Sequence, residues 1–206
     1  MMGFNQLKTV GRILCLLLAV MPRALAASEF DPASVAKGVF LVASPSLNDP
    51  NFRQSVVLVL EHGSQGTLGI IVNRPTDKLL SEALPDVAAL KGTNHRLFAG
   101  GPVQPSVMLL LSRLKEPQPG MRLVFESVYV GGTPELLERL MANAGAADRF
   151  RAFAGYAGWA PGQLGFEMRQ GSWAVLSAES NLFERDPATL WQESLSRLEA
   201  PRVISN

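Results

Sequence analysis

From Gly38 to Pro75 the chain reads GVFLVASPSLNDPNFRQSVVLVLEHGSQGTLGIIVNRP, three apolar runs parted by two polar breaks. Gly38 to Ala43 is short, carries Val and Phe, and is continuous rather than alternating. That is the pattern of a strand buried on both faces. Ser55 to Leu60 and Leu68 to Val72 follow, joined by His62-Gly63-Ser64-Gln65-Gly66, short and glycine-bearing as a β-hairpin requires. Pro45 and Pro50 bracket a loop in which Asn48-Asp49-Pro50 favours a turn. The apolar runs are sheet core, so only the polar residues at their ends are free for other work.

The rest of the chain adds strands first and helices late. Asp77 to Leu84 reads as a helix of one to two turns stopped by Pro85. Arg96 to Ala99, Val107 to Leu111 and Arg122 to Val130 read as strands. Thr133-Pro134-Glu135 opens a helix: Thr133 caps free N–H groups, Pro134 has none to waste, and Glu135 suits the positive end of the dipole. Leu136, Leu137, Leu140 and Met141 form its apolar stripe, with Gly145 as the stop. A second short helix is expected from Ala147 to Ala154. Trp173 to Leu176 is a late strand, and Asp186-Pro187 opens a last amphipathic helix with Leu190, Trp191, Leu195 and Leu198 on one face. Strands in runs with late helices indicate an α+β fold, and the absence of repeats or linkers indicates one domain.

With 206 residues, 47% of them hydrophobic and 18% charged, the chain is globular and long enough for one real core. Its first segment is read separately. Lys8 and Arg12 precede the apolar run Ile13 to Met21, Pro22 breaks it, and Ala24-Leu25-Ala26 offers small residues to a signal peptidase. Residues 1–26 therefore read as a signal peptide and 27–206 as the domain, with its core at about 38–198. The expected location is periplasmic or secreted; the alternative is a cytoplasmic protein translated from Met21. Cleavage would remove Lys8, Arg12 and Arg23 but no acidic residue, turning the formal +1 into −2. A mildly acidic body lacks the clustered Lys and Arg that nucleic acid demands. Cys15, the single cysteine, would leave with the leader, and with it disulfide and thiol chemistry. The mature chain carries no membrane span.

Recognisable catalytic patterns are missing. There is no G-x-S-x-G elbow, and His62 and His95 are the only imidazoles. A zinc site wants three or four His, Cys or carboxylate ligands in set spacings, and neither CxxC nor HExxH occurs. No G-x-G-x-x-G and no Walker lysine is present, so no cofactor or metal is expected. Gly131-Gly132-Thr133-Pro134 reads as a turn and helix cap rather than a phosphate cradle. Gly100-Gly101-Pro102 reads as a turn that needs positive φ. Two groups remain as candidates. One is the strand-end polar set Asp49, Arg53, Glu61, His62, Asn73 and Arg74; its alternative role is closing loops with hydrogen bonds and salt bridges. The other is Gly155 to Leu164, GYAGWAPGQL, in which Tyr156, Trp159 and Gln163 sit among three glycines. A binding cleft or a tight structural corner would both look like this.

These segments, with Ala99-Gly100-Gly101-Pro102-Val103, resemble the YqgE/AlgH family of bacterial proteins in order and spacing from about Gly38 to Leu198. The resemblance implies a single compact α+β domain around a mixed, strongly bent sheet flanked by a few helices. It supplies no reaction and no established catalytic residues; the AlgH name carries a role in transcriptional regulation of alginate synthesis. The chain departs from the family pattern after GGPV, where Gln104 to Ser112 lacks the usual Arg-Gly-Phe and histidine. It also has Gly165 where a Glu is common, and Ser177-Ala178-Glu179 for Pro-Ala-Asp. Three readings follow: a non-catalytic binding or interaction protein in the periplasm with a protein or small-molecule partner; a cytoplasmic transcription-linked regulator; and a cryptic hydrolase built on His62.

Overall fold

A computed structural model describes residues 34–143 and 149–199. The expected leader and the expected stop at Gly145 lie outside the described residues. Strands β1 (Val39–Ala43), β2 (Val56–Gly63) and β3 (Gly66–Ile71) form an antiparallel meander, with Ser64-Gln65 as the tight turn of the β2–β3 hairpin. Next, β4 (Pro75–Leu79) runs into the single turn α1 (Leu80–Ala83) and pairs with β5 (Arg96–Ala99). The long strand β6 (Val103–Arg113), the hairpin β7 (Arg122–Phe125) and β8 (Val128–Gly131), and helix α2 (Pro134–Asn143) follow. After them come β9 (Arg149–Trp159), α3 (Gln163–Arg169), β10 (Trp173–Ser177) and α4 (Leu190–Glu199).

One sheet results, in the order β10-β1-β2-β3-β9-β6-β8-β7 with the β4–β5 pair attached to β9. The first half of β9 pairs antiparallel with β6 and parallel with β5, and its second half pairs antiparallel with β3. The sheet is therefore mixed, and it bends enough to bring its far edge back to its start. There Lys37 Nζ donates to the Leu123 carbonyl at 3.1 Å and Arg122 pairs with Glu61. Gly38 abuts Phe125 so closely that a Cβ on it would sit 2.8 Å from the phenylalanine Cβ. This curled half-barrel is the α+β domain that the resemblance implied.

The meander is covered on both faces, as its unbroken apolar runs required. Phe40, Val42, Val56, Leu58, Ile70 and Val72 meet Leu182, Leu190 and Leu198 on one side. Leu41, Ala43, Val57, Val59 and Ile71 meet Trp159, Leu164, Met168 and Trp173 on the other. Each large side chain buried in this way contributes about 1.5–3 kcal/mol. A third cluster joins Leu110 and Ala152 to Leu136, Leu137 and Leu140 of α2, the stripe read from the sequence. Thr133 caps α2 as expected, its hydroxyl accepting from Leu136 N.

Four expectations need correction. Asp77 to Leu79 extends β4 rather than opening a helix, because Thr76 Oγ1 donates to the Leu97 carbonyl and the segment is drawn along β5. Arg122 to Val130 is a hairpin, turned at Glu126 with φ +43° and Ser127, not one strand. The helix expected at 147–154 is strand β9 from Arg149 onward, and residues 147–148 lie outside the described residues. Alanines there mimic helix formers, but a strand paired on both edges and covered by side chains needs small residues, and tertiary context overrides propensity. Helix α4 begins at Leu190, with Asp186 to Thr189 leading into it as a turn in which Asp186 Oδ1 accepts from Ala188 N.

Candidate functional site

The loop between β1 and β2 is tied down by the polar residues that follow β3. Asn73 Oδ1 accepts from Val56 N at 2.8 Å and Asn73 Nδ2 donates to the Gln54 carbonyl at 3.0 Å. Arg74 donates from Nη1 to the Asn51 carbonyl at 2.5 Å and from Nη2 to the Arg53 carbonyl at 2.8 Å. Asp49 shapes the turn itself: its carboxylate accepts from Asn51 N, and its carbonyl from Phe52 N and Arg53 N. Gln54 is held at φ +55°, a conformation side chains seldom adopt, by the bond from Asn73. Asp49, Asn73 and Arg74 thus close a loop.

Closing it forms a cleft of about 730 Å³ between this loop and the start of α4, lined by Asn48, Arg53, Gln54, Asn73, Arg74 and Gln192 with Pro45, Leu47, Pro50, Pro187, Ala188 and Trp191. The charged groups in that lining are two arginines, with no carboxylate among them. Burial first, then the neighbouring Arg53 charge, lowers the Arg74 guanidinium below the usual arginine value, and Asp49 works in the opposite direction. Arg53 is exposed, and among the described residues its guanidinium makes no hydrogen bond or ion pair. The cleft wall is anchored by Trp191, whose Nε1 donates to the Ala43 carbonyl at the end of β1.

Glu61 and His62 lie at the opposite end of the β2–β3 hairpin, so the structure splits the six strand-end candidates into two groups. His62 Nδ1 and Thr67 Oγ1 are 2.7 Å apart across the hairpin, and Glu61 is turned to Arg122. Glu61 and Thr67 line a second, open cleft of about 440 Å³ with Leu68, Val103, Tyr156, Gly158 and Trp159. Thr67 is buried, and among the described residues no carboxylate is bonded to His62. A nucleophile, base and orienting acid are therefore not assembled there.

The GYAGWAPGQL segment is a corner. Its first five residues are the end of β9, and Gly162, at φ +77°, turns the chain into α3. Gln163 Oε1 accepts from Ala160 N to close that turn. Trp159 is buried against Phe52 and Trp173 at centroid distances of 5.7 and 5.6 Å. Glu167 gathers the corner: its carboxylate accepts from Trp159 Nε1, Trp173 Nε1 and Gln163 Nε2 at 2.8–2.9 Å. Gly100 and Gly101 are not a simple turn. They cross β9 in backbone contact, where a Cβ on Gly100 would lie 2.3 Å from the Gly155 carbonyl oxygen and one on Gly101 2.2 Å from the Tyr156 carbonyl carbon.

Sequence reasoning did not place Gln54, Trp191 and Gln192 in a site. The Asp186-Pro187 helix start was legible, but nothing local says that this helix begins against a loop more than 130 residues earlier. Among the described residues no group of His, Cys, Asp and Glu could hold a metal ion, and no helix is long and apolar enough to cross a membrane.

Comparison with known proteins adds a lineage. A family model described as AlgH-like matches residues 40–202. A UPF0301 protein of Magnetococcus marinus is 35% identical over 161 residues, covering 77% of this chain and 86% of its own. A Streptomyces coelicolor UPF0301 protein is 39% identical over 180 residues, covering 82% and 90%. Among solved structures, the solution structure of the AlgH protein from Pseudomonas aeruginosa superposes with a TM-score of 0.67 at 28% identity, over 80% of this chain and 89% of that one. A crystal structure of a Corynebacterium diphtheriae protein gives 0.65 at 25% identity, over 82% and 89%. The names of the UPF0301 relatives state no activity.

Proposed function

The chain belongs to the AlgH-like family, and from that premise we propose that it is a non-catalytic binding protein whose ligand seat is the cleft between the 45–54 loop and the start of α4. The observation that carries this reading is the contrast within the cleft. Arg74 and Asn73 spend their hydrogen bonds on holding its wall, whereas Arg53, Gln54 and Gln192 present side chains with no partner among the described residues. A concave site with a fixed frame and unspent polar groups suits recognition. The second cleft supports the reading less, since Thr67 and Glu61 in its lining are spent on His62 and Arg122.

The test is a two-dimensional NMR titration of the full chain with pooled small polar metabolites. Shifts concentrated at Arg53, Gln54, Trp191 and Gln192 are expected. Turnover of any component, or shifts confined to the cleft at Glu61 and Thr67, would overturn the reading.

We also place the binding outside the cytoplasm, on the strength of the Lys8, Arg12, Ile13 to Met21 and Ala24-Leu25-Ala26 pattern. N-terminal sequencing from the native host should find Ala27 first; Met1 or Met21 would overturn the export. The regulator reading draws no support from α4, which carries Glu193 and Glu199 beside Arg197 rather than a basic face.

A further inference from the structure

We propose that the cleft at Arg53 and Arg74 selects a phosphomonoester carried on a small hydroxylated body, an inference that rests on reading this cleft as the ligand seat. Two guanidinium groups line it and no carboxylate does. The nearby Asp49, outside the lining, offsets less of the Arg74 charge environment than burial and Arg53 impose, so the cleft keeps a positive face. Arg74 is fixed by two backbone carbonyls, which aims the rest of its planar donor set. Arg53 projects from the backbone that Arg74 holds, with its fork unspent. Paired guanidiniums match the several acceptor oxygens and double charge of a phosphate monoester better than a single carboxylate, which neutralises only one of them.

The remainder of the lining says what the phosphate is attached to. Asn48, Gln54 and Gln192 present primary amides with no hydrogen-bond partner among the described residues. A primary amide both donates and accepts, as a hydroxyl does, so the three together read a polyol-like body. Apolar lining is limited to prolines, Leu47, Ala188 and the anchored Trp191. That is little surface for a large hydrophobic ligand.

Isothermal titration of the full chain with glycerol 3-phosphate, inorganic phosphate, glycerol and lactate tests the inference. Glycerol 3-phosphate should bind most tightly, with NMR shifts at Arg53 and Gln192, and its affinity should fall as salt rises. It should also weaken as the pH drops through about 6, where the ester takes up its second proton. Arg53→Gln should weaken it about tenfold or more while the melting temperature holds, since a charge-assisted bond is lost and nothing structural is. Gln192→Ala should erase the preference over inorganic phosphate. Equal shifts from glycerol, unaffected by Arg53→Gln, would overturn the phosphomonoester and leave the binding reading intact. Lactate binding as well as glycerol 3-phosphate, with no pH dependence near 6, would replace phosphate by carboxylate. Glycerol 3-phosphate leaving the cleft unshifted overturns the inference, and the metabolite titration then decides the binding reading on its own.

Discussion

Arg74 Nη2 donates to the carbonyl oxygen of Arg53 at 2.8 Å, so one arginine holds in place the backbone from which the other projects. The two share a charge and a cleft but have different roles. Arg74 is half-buried and its lowered proton affinity, from burial and then from Arg53, records what it costs to keep a cation there. Its return is the ordered loop from Asp49 to Gln54.

The two arginines should therefore separate cleanly by mutation. Arg74→Ala leaves the Asn51 and Arg53 carbonyls without their donors, and should cost about 1–3 kcal/mol in urea denaturation. Arg74→Lys should recover little of this, because an ammonium cannot span both carbonyls with a planar fork. Arg53→Gln, which breaks no bond among the described residues, should stay within about 0.5 kcal/mol of the parent.

Glu167 offers a second test away from the cleft. Three N–H donors, from Trp159, Trp173 and Gln163, converge on its two oxygens. Glu167→Gln sets an NH₂ either against the Gln163 amide or against both indoles, which share one oxygen, so at least one donor is confronted and loses its partner. A loss of about 1–3 kcal/mol is expected, with a change in tryptophan fluorescence that reports the loosened corner. Unchanged stability and emission would mean that the amide oxygen stays on both indoles and that the Gln163 bond adds nothing to the corner.

Sequence and structure agree best where a pattern is local and periodic. The β1–β3 runs, the Thr133 cap and the Leu136, Leu137 and Leu140 stripe were all legible, because each residue's neighbours along the chain decide its place. What escaped was long-range. β9 hides behind helix-forming alanines because its partners β3, β5 and β6 come from three distant segments. Hairpin geometry by itself, with His62 beside the β2–β3 turn and Asn73 and Arg74 just past the far end of β3, sets these residues apart. It could not show that Trp191 and Gln192 face Arg53, since that depends on how α4 docks across β1.

Glycines separate by what surrounds them, and that is a third prediction. A Cβ at Gly101 would overlap the Tyr156 backbone, which is pinned in the sheet and cannot move aside. Gly101→Ala should destabilise by more than about 4 kcal/mol or yield no folded protein. Gly63, at the β2–β3 turn, has nothing within 4 Å of the same position and no positive φ. Gly63→Ala should be neutral or gain a few tenths of a kcal/mol by stiffening the unfolded chain, to about 1 kcal/mol at most. Comparable losses at both positions would show that backbone approach is not what Gly101 provides.

His95 gives a pH-dependent prediction whose sign follows from burial. Its ring lies 4.6 Å from the Phe150 ring, and burial lowers its proton affinity below the usual histidine value of 6.5. Above pH 6.5 the imidazole is neutral in folded and unfolded chains alike, and its packing against Phe150 counts in full. As the pH falls below 6.5 the unfolded chain takes up the proton first, so unfolding gains and stability declines until the folded imidazole also protonates. His95→Phe keeps an aromatic ring against Phe150 and removes the titration. Urea midpoints measured at pH 7.5 and 5.5 should therefore converge more in His95→Phe than in the parent. Every other ionisable group is common to both proteins and cancels in that comparison. An identical pH dependence in the two would place the His95 ring in water in the folded state.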